Sequence, residues 1–175
     1  LKSKESYYNE INQLIENKKV PLRVTHNDTK LNNVLFDKGT NKPLCVIDLD
    51  TIMPGSILFD FGDAIRFICN TSKEDEADLS MVNFSLDNFK AYCEGFLLNL
   101  KSILTNDEIN NLAFSANLIT LEQAIRFLDD YLNGDSYYKT SYENHNLIRA
   151  KNQIKLANEI EKNITTMNDV IKELI

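Results

Sequence analysis

Apolar positions in residues 3–19 fall at Tyr7, Tyr8, Ile11, Leu14 and Ile15, the spacing of one helical face. Asn17-Lys18-Lys19 then leads to Pro21, which has no N–H to continue a helix and stops it. Three short apolar pieces follow, at 22–25, 34–36 and 44–47. The last two flank Asp37-Lys38-Gly39-Thr40-Asn41-Lys42-Pro43, a run dense in turn formers, and so predict a small hairpin. Beyond Ile57 the period changes: positions 58, 61, 65 and 68, then 89, 92, 93, 96, 97 and 100, each mark one face of a helix. Thr105-Asn106-Asp107-Glu108 has the form of a capping box. It opens a long helical pattern through Leu112, Ala116, Ala124, Phe127 and Leu128 that Gly134 can close. A final helix is expected from about Asn144, and its stripe of Leu147, Ala150, Ile154, Ala157, Ile160, Ile164, Met167, Ile171 and Leu174 reads as core packing. There is no internal repeat. The pattern predicts an α+β chain that is mainly α-helical, with one small antiparallel hairpin.

Composition narrows the function classes. The 175 residues carry 19 Lys+Arg against 26 Asp+Glu, a net charge of −7, with 43% hydrophobic residues. That is a globular balance, and a chain this long buries roughly 70% of its unfolded surface. Thinly spread cations disfavour nucleic acid as a partner. Cys45, Cys69 and Cys93 are widely spaced in apolar stretches, with no metal-ligand spacing, and are expected to be core thiols. No apolar run is long enough for a bilayer and the start lacks a signal-peptide core, so no membrane partner and a cytoplasmic location are expected. The opening Leu1-Lys2-Ser3-Lys4-Glu5 suggests a piece of a longer chain. The acidic run 71–78 reads as a solvated loop, with a cation-attracting rim as the alternative.

Chemistry concentrates between residues 24 and 50. His26, Asp28 and Asn33 fit H-x-D-x-x-x-x-N, a catalytic loop in which the Asp handles an acceptor hydroxyl and the Asn holds a metal. An Asp at the start of a loop can face the acceptor, and an Asn five residues on, at the next strand, can return an amide oxygen to the metal beside it. Asp48 ends the strand at 44–47, and an antiparallel return would bring it alongside that loop. Two carboxylates held about 4 Å apart repel by roughly 4 kcal/mol at an effective dielectric near 20. Asp28, Asp48 and Asp50 crowded into one pocket would therefore call for Mg²⁺ and nucleotide phosphates, with Asn33, Asp48 and Asp50 as the metal-side donors. His26 is expected to fix the loop through backbone hydrogen bonds rather than act as a base.

Asp60-Phe61-Gly62 mimics the metal-binding tripeptide of protein kinases, yet it falls inside the helical stripe at 58, 61, 65 and 68. Asp60 is better placed to cap a helix or brace the catalytic loop. Asp63 and Arg66, three apart on one helical face, suit an intrahelical ion pair.

These residues resemble the aminoglycoside phosphotransferase and choline kinase superfamily, which shares the protein-kinase fold and follows H-x-D-x-x-x-x-N with I-D. More narrowly, His26-Asn27-Asp28-Thr29-Lys30, Ile47-Asp48-Leu49-Asp50-Thr51, the run 60–66, Cys69-Asn70-Thr71 and the segments 121–128, 130–135 and 145–153 look like N-acetylhexosamine 1-kinases. The resemblance implies a C-terminal lobe of a kinase-like fold spanning residues 1–175, using ATP and Mg²⁺, with Asp28 orienting an anomeric hydroxyl toward the γ-phosphate. Arg126 and Tyr137 match positions that contact the hexosamine there. An ion pair of Arg126 with Asp129 or Asp130, and closure of the core by Tyr137, are the structural alternatives. The five glycines are scattered singly and no Gly-rich phosphate loop occurs. A separate N-terminal nucleotide-binding lobe is therefore expected, and the 175 residues alone are expected to be inactive.

Two other readings stand beside this one. The first is a related kinase for choline, homoserine, methylthioribose or an aminoglycoside, which the net acidity would suit; the second is a non-catalytic binding lobe. Sulfatase chemistry is excluded, because none of Pro21, Pro43 and Pro54 lies in a C/S-x-P-x-R motif.

Overall fold

The computed structural model describes residues 9–175, so Tyr7 and Tyr8 of the expected first helix lie outside the described residues. The rest of that helix is α1 (Glu10–Glu16), which buries Ile11. Four short strands follow: β1 (Arg23–Thr25), β2 (Val34–Phe36), β3 (Pro43–Val46) and β4 (Met53–Gly55). β2 and β3 form the expected hairpin, with Val34 opposite Val46 and an irregularity between Leu35 and Phe36. β1 pairs antiparallel with β4, Val24 facing Pro54, in a second two-stranded sheet that the apolar pattern did not disclose.

Four helices make up the remainder: α2 (Ile57–Ile68), α3 (Leu86–Leu100), α4 (Asn106–Leu132) and α5 (His145–Leu174). The fold is thus mostly helical with small antiparallel sheets. Ser56 caps α2 by accepting from the Leu58 N–H, and Leu58, Phe61, Ala64 and Ile65 turn inward at the predicted spacing. Phe61 meets Phe89, Tyr92 and Phe96 of α3 edge-on, at centroid distances of 6.3, 5.6 and 5.0 Å. Edge-to-face aromatic contacts of this kind add about 0.5–1.5 kcal/mol each beyond the area they bury. The capping box at the start of α4 is formed in both directions between Thr105 and Glu108. The inner face of α5 is more polar than its stripe suggested: Asn146, Asn152 and Gln153 are buried with Ala150, Leu156, Ala157, Ile160, Met167 and Ile171.

Two expectations are corrected. Cys69 and Cys93 are core thiols, but Cys45 is exposed. It lies on β3, every residue of which is exposed, so its apolar neighbours do not indicate a covered face. The acidic run is not a simple solvated loop. Glu74 reaches Arg66 at 2.6 Å, and Asp75 lies 3.4 Å from His145, which fastens the run to α2 and α5.

Two contacts set the position of α2 and β1 against α4. A Cβ on Gly62 would stand 2.6 Å from the Ser115 carbonyl oxygen and 2.8 Å from Ile119, so only glycine allows α2 and α4 to approach this closely. Arg23 of β1 grips the buried Glu108 of α4, Nε to Oε1 at 2.7 Å and Nη2 to Oε2 at 2.8 Å. Burial disfavours the Glu108 charge, but the Arg23 fork and the Thr105 N–H outweigh it and hold the carboxyl below its ordinary 4.5.

Gly62→Ala is expected to cost about 1–3 kcal/mol by overpacking, read as a lower denaturation midpoint; an unchanged midpoint would show that the approach is not tight. Because the folded pKa of Glu108 is depressed, its charge stabilises the fold above pH 4.5 and ceases to do so as pH falls through the folded value. Glu108→Gln should therefore lower stability at neutral pH, with a deficit that narrows below pH 4.5, followed by denaturant titration at several pH values.

Candidate active site

The loop after β1 is fixed by a carboxylate from another element. Gly55 on β4 lets the strand lie against that loop, since a Cβ there would stand 2.4 Å from Thr25 Oγ1 and 3.1 Å from Asn27 Oδ1. The chain then enters α2, whose first turn carries Asp60. Asp60 accepts from the His26 N–H at 2.8 Å through Oδ2 and from the Asn27 N–H at 2.7 Å through Oδ1. Thr29 Oγ1 donates to the Asp60 carbonyl at 2.6 Å. Burial pushes the Asp60 carboxyl up from its ordinary range, and the two backbone donors recover only part of that. Both oxygens of Asp60 thus face the loop backbone.

His26 supplies a second tie, its Nε2 lying 3.0 Å from the Ile47 carbonyl oxygen. A carbonyl can only accept, so Nε2 carries the proton in the neutral ring. Thr51 Oγ1 donates to the His26 carbonyl at 2.6 Å and Asn27 Nδ2 to the Thr51 carbonyl at 3.0 Å. Asn27 is held at φ 63°, a left-handed conformation that Asn tolerates better than most residues.

Asp28 follows immediately. Its Oδ2 accepts from Lys30 Nζ at 2.9 Å and from Asn33 Nδ2 at 2.8 Å. Burial works against the Asp28 charge, but the Lys30 and Asn33 bonds prevail and hold its pKa below the ordinary value. Asn33, buried at the end of a single 3-10 turn, donates a second bond from Nδ2 to the Asp28 carbonyl at 2.9 Å. The Asn33 amide oxygen is left as an available acceptor. The β2/β3 hairpin returns the chain to this point, with the Ile47 N–H donating to the Asn33 carbonyl at 2.9 Å. Asp48 comes next, exposed, at φ 64°.

Among the described residues no group of three or more carboxylate, imidazole or thiolate side chains is arranged to hold a metal. Asp28 is turned toward Lys30 and Asn33, whereas Asp48 opens an exposed 3-10 turn (Leu49–Thr51) that carries Asp50 at its surface. The Ile47 N–H bond to the Asn33 carbonyl brings the backbone before Asp48 alongside Asn33, and oxygen donors of these types suit a hard divalent cation completed by water.

Asp28 opens into a cleft of about 410 Å³ whose far wall includes Arg126, Tyr137 and Tyr138. That volume falls in the range of small-molecule sites, about 300–1,000 Å³. The Arg126 guanidinium lies 5.9 Å from the Tyr137 ring centroid and 5.6 Å from that of Tyr138. No ion pair of Arg126 with Asp129 or Asp130 forms among the described residues, and Tyr137 is 74% exposed rather than closing the core. Asp130 has another task that the sequence reading missed. It accepts from the backbone N–H of Tyr137 at 2.8 Å, the backbone N–H of Tyr138 at 2.9 Å and Asn146 Nδ2 at 2.9 Å, which fixes the tyrosine segment. Gln123 Nε2 donates to the Tyr138 hydroxyl at 3.0 Å. Lys30, Glu74, Lys139 and Arg149 also line the cleft. An Asp seven residues before a turn segment has no sequence signature, so only the folded chain discloses it.

Replacing Asp60 by Asn leaves a single acceptor facing two backbone donors. Asp60→Asn should cost about 2 kcal/mol, the scale of a hydrogen bond to a charged group, and should shift the amide resonances of His26 and Asn27; unchanged resonances would show that Asp60 does not hold the loop.

The sequence offers an independent comparison. Residues 4–90, which contain the catalytic-type loop, the hairpin and α2, match the family model described as APH, Phosphotransferase enzyme family. Arg126 and the tyrosine segment lie beyond the matched residues. The match covers just under half of the chain and supports the likeness of that segment to kinase-like phosphotransferases.

Proposed function

We propose that this chain is the acceptor-binding lobe of an ATP- and Mg²⁺-dependent kinase that phosphorylates a sugar hydroxyl, the anomeric hydroxyl of an N-acetylhexosamine. The observation that carries the reading is the shared cleft: the Asp28 carboxylate and the aromatic–guanidinium wall of Arg126, Tyr137 and Tyr138 face one volume large enough for a monosaccharide. An exposed tyrosine face suits the apolar face of a pyranose ring, and a guanidinium can donate to ring hydroxyls or an acetamido oxygen.

In this mechanism Asp28 Oδ1 receives the acceptor hydroxyl while Lys30 and Asn33 keep Oδ2 in place. A carboxylate with a lowered pKa is a weak base. Its contribution is therefore orientation, which suits a loose phosphoryl-transfer transition state. As the new oxygen–phosphorus bond forms and the bond to ADP breaks, the hydroxyl proton passes to Asp28 and then to solvent. Asn33 Oδ1 and the Asp48 carboxylate would hold Mg²⁺, which neutralises charge on the phosphates when bound. Asp60 and His26 keep the loop in register and take no part in proton transfer.

A nucleotide-binding lobe is expected to complete the site. Support comes from an apolar surface around the strands: Leu22, Val24, Leu44 and Val46 are 58, 84, 64 and 51% exposed. Exposed apolar residues concentrated on the short strands suit a contact surface. Cationic acceptors such as choline or an aminoglycoside are disfavoured, because Lys30, Arg66, Arg126, Lys139 and Arg149 outnumber Asp28 and Glu74 on the cleft wall.

The test is an assay of the chain joined to its nucleotide-binding lobe, with Mg-ATP and N-acetylglucosamine or N-acetylgalactosamine. Phosphorylation at the anomeric oxygen is expected, with Asp28→Asn reducing kcat by about 10²-fold or more, the scale of a misplaced acceptor. Asp48→Ala should raise the Mg²⁺ requirement. Full turnover by Asp28→Asn would refute the assignment.

A further inference from the structure

The segment that carries the aromatic wall of the cleft is held at three points. At its start the Asp135 N–H donates to the Asp130 carbonyl at 2.8 Å, with Asp135 at φ 55°. In its middle the Asp130 carboxylate accepts from the N–H groups of Tyr137 and Tyr138. At its end the Lys139 carbonyl accepts from Arg149 Nη1 at 3.3 Å. One side chain touches the residue responsible at each point. Asn146, buried in the first turn of α5, donates from Nδ2 to Asp130 Oδ2 at 2.9 Å and to Asp135 Oδ1 at 2.8 Å, and its Oδ1 accepts from Arg149 Nη1 at 3.0 Å. The residue type matters. Two carboxylates converge on one end of this side chain and a guanidinium on the other, so the position needs donor and acceptor on one short group, which an amide supplies. A carboxylate there would add a third negative charge, and an alanine would leave Asp130 and Asp135 with no donor between them.

Arg149 is placed by the same contact, and its guanidinium lies 5.4 Å from the Phe127 ring centroid while lining the cleft beside Tyr137 and Tyr138. We propose that Asn146 is a positioning residue for acceptor binding: from a fully buried site it sets the stance of Tyr137, Tyr138 and Arg149 on the cleft wall, and so the affinity for the acceptor, without touching the acceptor or the reacting atoms. The inference rests on the sugar-kinase reading of the cleft and adds to it the residue behind the wall. A purely structural role, as a tie between the end of α4 and the start of α5, predicts lost stability alone. Asn117 supplies the comparison. It is equally buried on α4, donates from Nδ2 to the Ala157 carbonyl of α5 at 2.6 Å, and is not among the residues lining the cleft.

The experiment compares Asn146→Ala, Asn146→Ser and Asn117→Ala. Each is titrated calorimetrically with N-acetylglucosamine and denatured in urea as the 175-residue chain, and assayed for acceptor and ATP kinetics when joined to the nucleotide-binding lobe. Asn146→Ala is expected to weaken sugar binding about tenfold or more, a factor equal to about 1.4 kcal/mol. The acceptor KM should rise by a similar factor, with kcat and the KM for ATP changing less than about twofold, the pattern of lost uniform binding. Asn146→Ser keeps one donor and should fall between; it decides if Asn146→Ala does not fold. Asn117→Ala should lower the denaturation midpoint yet bind the sugar as the unsubstituted chain does. Unchanged sugar affinity in a folded Asn146 variant would overturn the inference and leave the kinase reading intact. An equal loss of affinity in Asn117→Ala would also overturn it, by tracing the effect to stability. No sugar binding by the unsubstituted chain, together with no phosphorylation when the nucleotide-binding lobe is joined, would defeat the kinase reading and this inference with it.

Discussion

The arrangement depends on one carboxylate answering two backbone donors. Asp60 projects from the first turn of α2 and takes the N–H groups of His26 and Asn27, so the residue that follows them, Asp28, is presented at a fixed point. Backbone donors in a half-buried loop need acceptors, and no strand ladder supplies them there. The cost is visible in the raised pKa of Asp60, where burial outruns the two bonds it receives. The same carboxylate that resembles a metal ligand in the one-dimensional sequence is therefore occupied with holding the loop.

Helix α4 connects the loop to the rest of the cleft. At Ser115 it accepts the glycine face of α2, at Glu108 it receives Arg23 from β1, and farther along it carries Gln123 and Arg126. A single rigid element thus sets the spacing between the Asp28 side and the aromatic side. The connection from α4 to α5 supplies Tyr137 and Tyr138, pinned by Asp130, and α5 supplies Arg149. Glu74 joins in from the acidic run, so a segment that looks solvent-directed in the sequence lies on the cleft wall.

Much of this was legible in the sequence because its signals are local. The helical stripes, the Thr105–Glu108 capping box, the turn-rich link between β2 and β3 and the spacing of His26, Asp28 and Asn33 each span a few residues. What stayed hidden involves partners far apart or elements too short to show a period. β4 is three residues containing Pro54 and Gly55, which argue against a strand, and its partner lies some thirty residues earlier. Asp130 reads as an ion-pair partner for Arg126 from spacing alone, whereas the fold directs it to backbone donors beyond the end of α4. The crowding expected of Asp28, Asp48 and Asp50 rests on nearness along a hairpin, whereas side-chain direction depends on backbone angles such as the left-handed φ at Asp48, which an apolar pattern does not disclose.

The central claim is that Asp60 locks the loop that presents Asp28. Native-state hydrogen exchange at the His26 and Asn27 amides tests it most directly. The account predicts protection approaching that of core amides in α2, abolished at those two positions in Asp60→Ala while α2 itself stays protected. Exchange of the two amides at the rate of an unprotected loop in the unsubstituted chain would contradict it.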